Sequence, residues 1–301
     1  MELIRQKSST KRGVTPPEDG KTMYKTVIFD LDGTLLNTLD DLADAGNRVC
    51  ARRGWPRHTP DQFRYLVGNG IPKLIERLTP PDARDAATLA NALADFEADY
   101  GAHLHDKTAP YPGVPALLAR LKAAGVQLAV LSNKADALAK VVVGEYFDPA
   151  LFAAVRGQRA GIPVKPAPEA TRALLETLGA DPAATLYVGD SNVDIQTARN
   201  AGLDSCGVLW GFRTREELVG EGATHLAADA GELERVVLGR CGCDAGAAPA
   251  KAAATLHKQY MKPSQGRNRH DCTALCRYAR RQIGNPRTGG MERRARRRDR
   301  V

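Results

Sequence analysis

Short apolar runs alternate with stretches of helical periodicity along most of this chain. Thr26 to Leu31 is β-rich and closes at Gly33, which predicts a buried strand followed by a turn. From Thr38 to about Arg53, Leu39, Leu42, Ala45 and Val49 recur at helical spacing, with Asp40 and Asp41 in the first turn, where acidic residues suit a helix N-terminus. Helices are predicted over 60–67, 71–78 and 83–103, and no strand pattern interrupts 38–108. After Pro110-Tyr111-Pro112-Gly113 the alternation resumes. A helix is predicted over 114–124, and a strand over 127–131 that ends at Ser132-Asn133-Lys134. A helix over 135–146, a short strand over 152–156 and a helix over 169–178 follow. The strand 185–188 ends at Gly189-Asp190-Ser191, and helix 193–201 comes next. Strand 206–209, helix 215–219, strand 224–227 and helix 231–238 complete the pattern.

Strands alternating with helices predict an α/β fold, a Rossmann-like parallel sheet with helices on both faces. Ligands bind such sheets at the carboxyl ends of the strands. The polar clusters 30–34, 132–134 and 189–194 all follow strands and are expected to converge on one edge, with Lys165 in a loop between them. The core is expected to comprise 23–37 and 110–240, with 38–109 inserted as a helical domain. Residues 1–22 read as a flexible leader and 241–301 as a basic, disordered tail.

Charge sharpens that division. Residues 241–301 carry 15 Lys+Arg against 4 Asp+Glu, leaving 28 against 31 for residues 1–240. The formal charge of +8 therefore belongs to the tail, and the mildly acidic body gives no argument for nucleic-acid binding. No run of 18 apolar residues is present, so no membrane span is expected, and the polar N-terminus lacks the apolar region of a secretory signal. A cytoplasmic location with reduced thiols is the expectation.

Candidate chemistry lies at the strand ends. In Asp30-x-Asp32-Gly33-Thr34 one carboxylate can attack phosphorus while the other exchanges a proton with the leaving oxygen; the plain alternative is an Asp-Gly turn. Asp190 and Asp194 offer hard oxygen ligands that, with Asp30, suit magnesium. The alternative for Asp194 is a first-turn residue serving its helix dipole. Ser132 and Asn133, expected at a helix start, make either an anion site or a plain N-cap. Lys165, stiffened by Pro163, Pro166 and Pro168, is either a phosphate-facing cation or a solvated lysine.

Together these four segments resemble the haloacid dehalogenase-like hydrolase superfamily. The matches are Asp30-x-Asp32-Gly33-Thr34, Leu131-Ser132-Asn133-Lys134, Lys165-Pro166 and Gly189-Asp190-Ser191-x-x-Asp194, with a helical insertion similar to a C1-type cap. Leu66-Val67-Gly68-Asn69-Gly70 and Tyr187-Val188-Gly189-Asp190-Ser191 bring the likeness closest to phosphoglycolate phosphatase-type enzymes, over roughly residues 24–238. The resemblance implies Asp30 as nucleophile and metal ligand, and Asp32 as acid/base with its backbone carbonyl on Mg2+. It implies Thr34, Ser132, Asn133 and Lys165 around the phosphoryl group, and Asp190 and Asp194 at the metal. Asn69, in a cap loop, is the candidate substrate contact, with an inter-helix turn as its alternative. Asn37 and Ala167 depart from the family pattern, where Asp and His are frequent.

The implied ligand is a small phosphorylated metabolite, phosphoglycolate first; the oligomeric state is left open. Alternatives are a sugar-phosphate mutase or pyrophosphatase of the same fold, or a non-catalytic binding protein whose tail contacts nucleic acid. Cys241, Cys243, Cys272 and Cys276 fit no common zinc spacing, and the run Arg293 to Arg298 has few aromatics near it for base stacking.

Overall fold

The computed structural model describes residues 24–239; the expected leader and tail lie outside the described residues. Strand β1 (Thr26–Phe29) is buried at every position, as befits a central parallel strand covered on both faces. After the turn at Gly33 come β2 (Leu36–Asn37) and four helices: α1 (Leu39–Arg53), α2 (Pro60–Leu66), α3 (Ile71–Leu78) and α4 (Ala86–Ala102). The chain returns through β3 (Ala109–Pro110), which pairs antiparallel with β2. This two-residue ladder brackets the helical block. Asp41, buried in the first turn of α1, reinforces the closure by accepting from the Lys107 and Thr108 amides and the Thr108 hydroxyl at 2.7–3.1 Å. The acidic start of α1 thus ties the entry of the block to its exit.

The second half runs α5 (Val114–Ala123), β4 (Gln127–Ala135), α6 (Asp136–Tyr146), β5 (Ala154–Gln158), α7 (Glu169–Leu178) and β6 (Thr185–Gly189). It continues with α8 (Asn192–Ala201), β7 (Asp204–Val208), α9 (Arg215–Gly220), β8 (His225–Ala227) and α10 (Ala230–Leu238). The six-stranded sheet has the order β5-β4-β1-β6-β7-β8, with all five pairings parallel. Ile28, Ala129, Leu131 and Tyr187 share one face and pack against Leu174 and Leu175 of α7 and Ala198 of α8. The alternate residues Val27, Phe29, Leu128, Val130, Leu186 and Val188 are also buried, so both faces are covered. Register aligns Phe29, Val130 and Val188 across the three central strands. Asp30, Ser132 and Asp190 therefore come to the same edge of the sheet.

One expectation is corrected here. Strand β4 does not stop at Leu131 but runs to Ala135, and α6 starts at Asp136 with Ala135 as its N-cap. Ser132 is thus no helix cap, and no helix start adjoins Ser132-Asn133. The reason is a bulge. Leu131 pairs with Arg156 and Ala135 with Gln158, so β4 spends two more residues than β5 between those pairs. Gly157 permits it, since a side chain there would strike the Lys134 carbonyl. The helix expected over 83–103 is likewise shorter: a 3-10 turn at Pro81–Ala83 precedes α4, whose cap Asp85 accepts from the Thr88 amide at 2.9 Å. Among the described residues no helix is long and apolar enough to cross a membrane.

Candidate active site

Asp30 follows β1 directly, its backbone N–H still bonded to the Val188 carbonyl at 2.9 Å. The strand ladder therefore fixes where the carboxylate sits. Lys165 lies against it, Nζ to Oδ1 at 2.9 Å, and reaches Asp194 Oδ1 at 2.8 Å. This ammonium is buried, with only 2 % of its side chain exposed. It is no solvated lysine. The Lys165 loop is held by Asn133, whose Oδ1 accepts from the Lys165 amide at 2.9 Å. Asn133 Nδ2 donates to the Lys165 carbonyl at 3.1 Å and to the Gly68 carbonyl of the helical block at 3.0 Å. The Asn133 side chain is a clamp, which leaves its backbone for any ligand.

Asp190 is fixed on both oxygens. Thr34 Oγ1 donates to Oδ1 at 2.9 Å and the Phe212 amide to Oδ2 at 2.8 Å. Thr34 thus serves a carboxylate and stays buried behind the site. Asp194 satisfies both readings its position allowed. It closes a capping box with Ser191, whose Oγ donates to Oδ2 at 2.6 Å, while its other oxygen meets Lys165.

Asp30, Asp190 and Asp194 bring one oxygen each within 4.8 Å of one another, all buried. Burial raises the pKa of Asp30; Lys165 opposes the shift and the neighbouring carboxylates add to it. Asp190 is raised in the same way, by burial and then by Asp194 and Asp30. Lys165 moves upward because Asp194 and Asp30 outweigh the burial that disfavours its charge. Three carboxylates against one ammonium leave surplus negative charge, and Asp30 Oδ1 accepts no well-directed hydrogen bond. That donor set fits a hard divalent cation.

Asp32 and Ser132 line a cavity of about 50 Å³ above Asp30. Its opposite wall comes from the helical block: Leu42, Val67, Ile71 and Leu74. Ser132 Oγ accepts from the Lys134 amide at 3.2 Å, leaving its hydroxyl proton for another acceptor. Asn69 is not among the lining residues. Arg77 donates to its Oδ1 at 2.8 Å, and its neighbours Gly68 and Gly70 face the cavity instead.

Two features escaped the sequence. Lys134 is a second buried ammonium, 2.9 Å from Asp32 Oδ1 and 2.9 Å from Tyr100 Oη of α4. The segment after β7 also enters the site: Trp210 Nε1 donates to the Thr34 carbonyl at 3.0 Å, and Phe212 lines the cavity. Any side chain at Gly211 would collide with Asp190. The available signal was positional, since β7 ends beside β6 in the same parallel sheet and its following loop must reach the same edge.

The haloacid dehalogenase-like hydrolase family model matches residues 27–208. The chain is 36% identical over 199 residues to a phosphoglycolate phosphatase of Caulobacter vibrioides, spanning 64% of this chain and 82% of that one. It is 34% identical over 214 residues to the phosphoglycolate phosphatase of Thiobacillus denitrificans, spanning 68% and 90%. A crystal structure of a candidate phosphoglycolate phosphatase from Lactobacillus delbrueckii superposes with a TM-score of 0.67 at 35% identity, covering 72% of this chain and 99% of that one. The chain belongs to the haloacid dehalogenase-like hydrolase family.

Proposed function

We propose that this hydrolase is a magnesium-dependent phosphatase of a small phosphomonoester, with phosphoglycolate the first candidate, acting in the cytoplasm. The observation that carries the reading is the burial of Asp30 at the end of β1 between Lys165 and the Asp190–Asp194 pair. Asp30, Asp190 and Asp194, with the Asp32 backbone carbonyl, would hold Mg2+. When bound, the cation offsets charge on the nucleophile and on the phosphoryl oxygens.

The remaining work falls to the chain. An Asp30 carboxylate oxygen attacks phosphorus, the P–O bond to the leaving alcohol breaks, and Asp32 delivers its proton to the departing oxygen. Water then attacks the aspartyl-phosphate and surrenders its proton to Asp32, releasing phosphate and restoring Asp30. Lys165, the Ser132 hydroxyl and the Asn133 backbone hold the phosphoryl oxygens. Thr34 and Phe212 act one step back by fixing Asp190. Residues 38–109 serve as a lid whose apolar wall excludes bulk water while the ester is bound.

Phosphate release from a panel of esters with MgCl2, comparing wild type and Asp30→Asn, tests the assignment. The variant should lose at least about 10³-fold in turnover, since the attacking oxygen and its charge are removed. Equal rates for the two proteins would overturn it. A panel that includes pyrophosphate and sugar phosphates also separates the related chemistries.

A further inference from the structure

The cavity has one feature that the phosphoryl chemistry leaves unused. Among its lining residues Lys134 is the sole cation, and only 2 % of its side chain is exposed. An ammonium carries three donors. Two go to Asp32 Oδ1 and Tyr100 Oη, both at 2.9 Å, which leaves the third. Lys165 is differently placed, because Asp30 and Asp194 already hold it on the phosphoryl side. The leaving-group side is otherwise lined by the backbone at Gly68 and Gly70 and by the side chains of Leu42, Val67, Ile71, Leu74 and Phe212. These side chains offer nothing to an anion.

Size narrows the ligand further. The cavity is small, about 50 Å³, which favours a short leaving group. Lys134 lines the same cavity, so it is the cation that a carboxylate on such a group would meet. A charged group that loses water in an apolar enclosure needs a paired partner there, and Lys134 is the partner available.

We propose that Lys134 is the specificity residue of this site. On the phosphatase reading above, its third N–H and its charge recognise a carboxylate on the leaving alcohol, selecting short phosphorylated hydroxy acids over neutral esters of equal size. The rival role is purely structural, with Lys134 holding Asp32 in place for any ester. The two roles differ in which kinetic constant moves.

The test compares 2-phosphoglycolate with its uncharged counterpart, glycolamide phosphate, on wild type, Lys134→Gln and Lys134→Met. Glutamine keeps a donor toward Asp32 but removes the charge; methionine removes both. Wild type should prefer the acid by at least about tenfold in kcat/KM. In the glutamine variant that preference should collapse to within about twofold, chiefly through a raised KM for the acid. A preference retained in the variants, with kcat lowered equally on both esters, would overturn the proposal. So would a wild type without preference, even though phosphatase activity stood. The same pair compared by thermal shift with MgCl2 needs no turnover, so selectivity remains measurable if the phosphatase reading itself fails. Melting curves of both variants show whether each folds, and either folded variant suffices.

Discussion

The sheet edge and the helical block face each other across one small cavity, and they are built on opposite rules. At the sheet edge nearly every atom is committed. Asp190 has a donor on each oxygen, Lys165 is shared by two carboxylates, and Gly33, Gly189 and Gly211 leave no room for a β-carbon beside Asp190 or Asp194. The helical block holds itself together with ordinary packing: Phe63, Leu74, Ile75, Leu78, Phe96 and Tyr100 are buried together with Gly46, which passes under the Phe63 ring. Its surface pairs, Arg48 and Arg52 with Asp99 and Arg53 with Asp95, join α1 to α4 near solvent. The difference teaches where chemistry and selectivity reside. Changes at the edge should disturb catalysis and stability together, whereas changes in the block should alter one lightly and leave the other.

Lys165→Met breaks the edge hardest. It leaves Asp30 and Asp194 buried without their cation, and removing one partner of a buried ion pair costs about 3 kcal/mol or more. At about 2–4 °C per kcal/mol, the melting temperature should fall by roughly 6–12 °C. The loss should be smaller at pH 5.5 than at pH 8, where protonation no longer relieves the stranded carboxylates. A variant that melts with the wild type would show that the pair contributes no net stability.

Magnesium should act in the reverse sense. Asp30 and Asp190 have folded-state pKa values raised above the ordinary carboxylate range. The metal-free fold therefore binds more protons than the unfolded chain, and loses stability as pH rises from about 4 through that raised range. A cation needs those carboxylates ionised, so its stabilisation grows with pH. At a hundred times its Kd, Mg2+ should add about 2.7 kcal/mol, and at one fixed concentration it should add more at pH 8 than at pH 5.5. Thermal shifts with MgCl2 and with EDTA at the two pH values measure this directly. No gain at either pH would remove the carboxylate cluster as a metal site.

The same substitution in both regions sharpens the contrast. Gly33 and Gly54 both have left-handed backbones, with φ of 89° and 71°. Alanine at either costs about 1–2 kcal/mol of backbone strain. At Gly54 a β-carbon meets nothing within 4 Å, so strain is the whole effect and activity should hold. At Gly33 it would run into the Asp190 carboxylate, so Gly33→Ala should also lose at least about tenfold in kcat. Similar kinetics for the two variants would mean that the edge is less rigid than its packing implies.

These regions were unequally legible in the sequence. Strand runs such as Val27-Ile28-Phe29 and the polar residues that end them are local patterns, so the parallel sheet and the meeting of Asp30, Asp190, Asp194 and Lys165 followed from topology alone. The bulge in β4 was hidden because Ser132-Asn133-Lys134 is polar, and polar residues signal a strand end unless a partner strand accommodates them. The task of Lys134 is not legible in its segment, because its partners Asp32 and Tyr100 lie 102 and 34 residues away. The positions of Thr34 and Asn69 in the sequence suggest ligand contacts, yet their side chains serve Asp190 and Arg77, which only tertiary packing reveals.

The smallest expected effect probes the seam itself. Tyr100 is buried in the helical block, stacked on Phe96 at 5.5 Å, and its hydroxyl accepts from Lys134 of the sheet edge. Tyr100→Phe keeps the ring and removes that one polar link between α4 and the site. Lys134 retains Asp32, so no charge is stranded, and the cost should be near that of a single hydrogen bond, about 1 kcal/mol. The melting temperature should drop by roughly 2–4 °C. Kinetics then separate two possibilities. If the block merely roofs the cavity, kcat should stay within about twofold. If the hydroxyl helps to aim Lys134, KM for carboxylate-bearing esters should rise while KM for neutral esters holds. A fall in kcat on every ester would instead place Tyr100 in the positioning of Asp32, and would move the boundary between the two regions into the helical block.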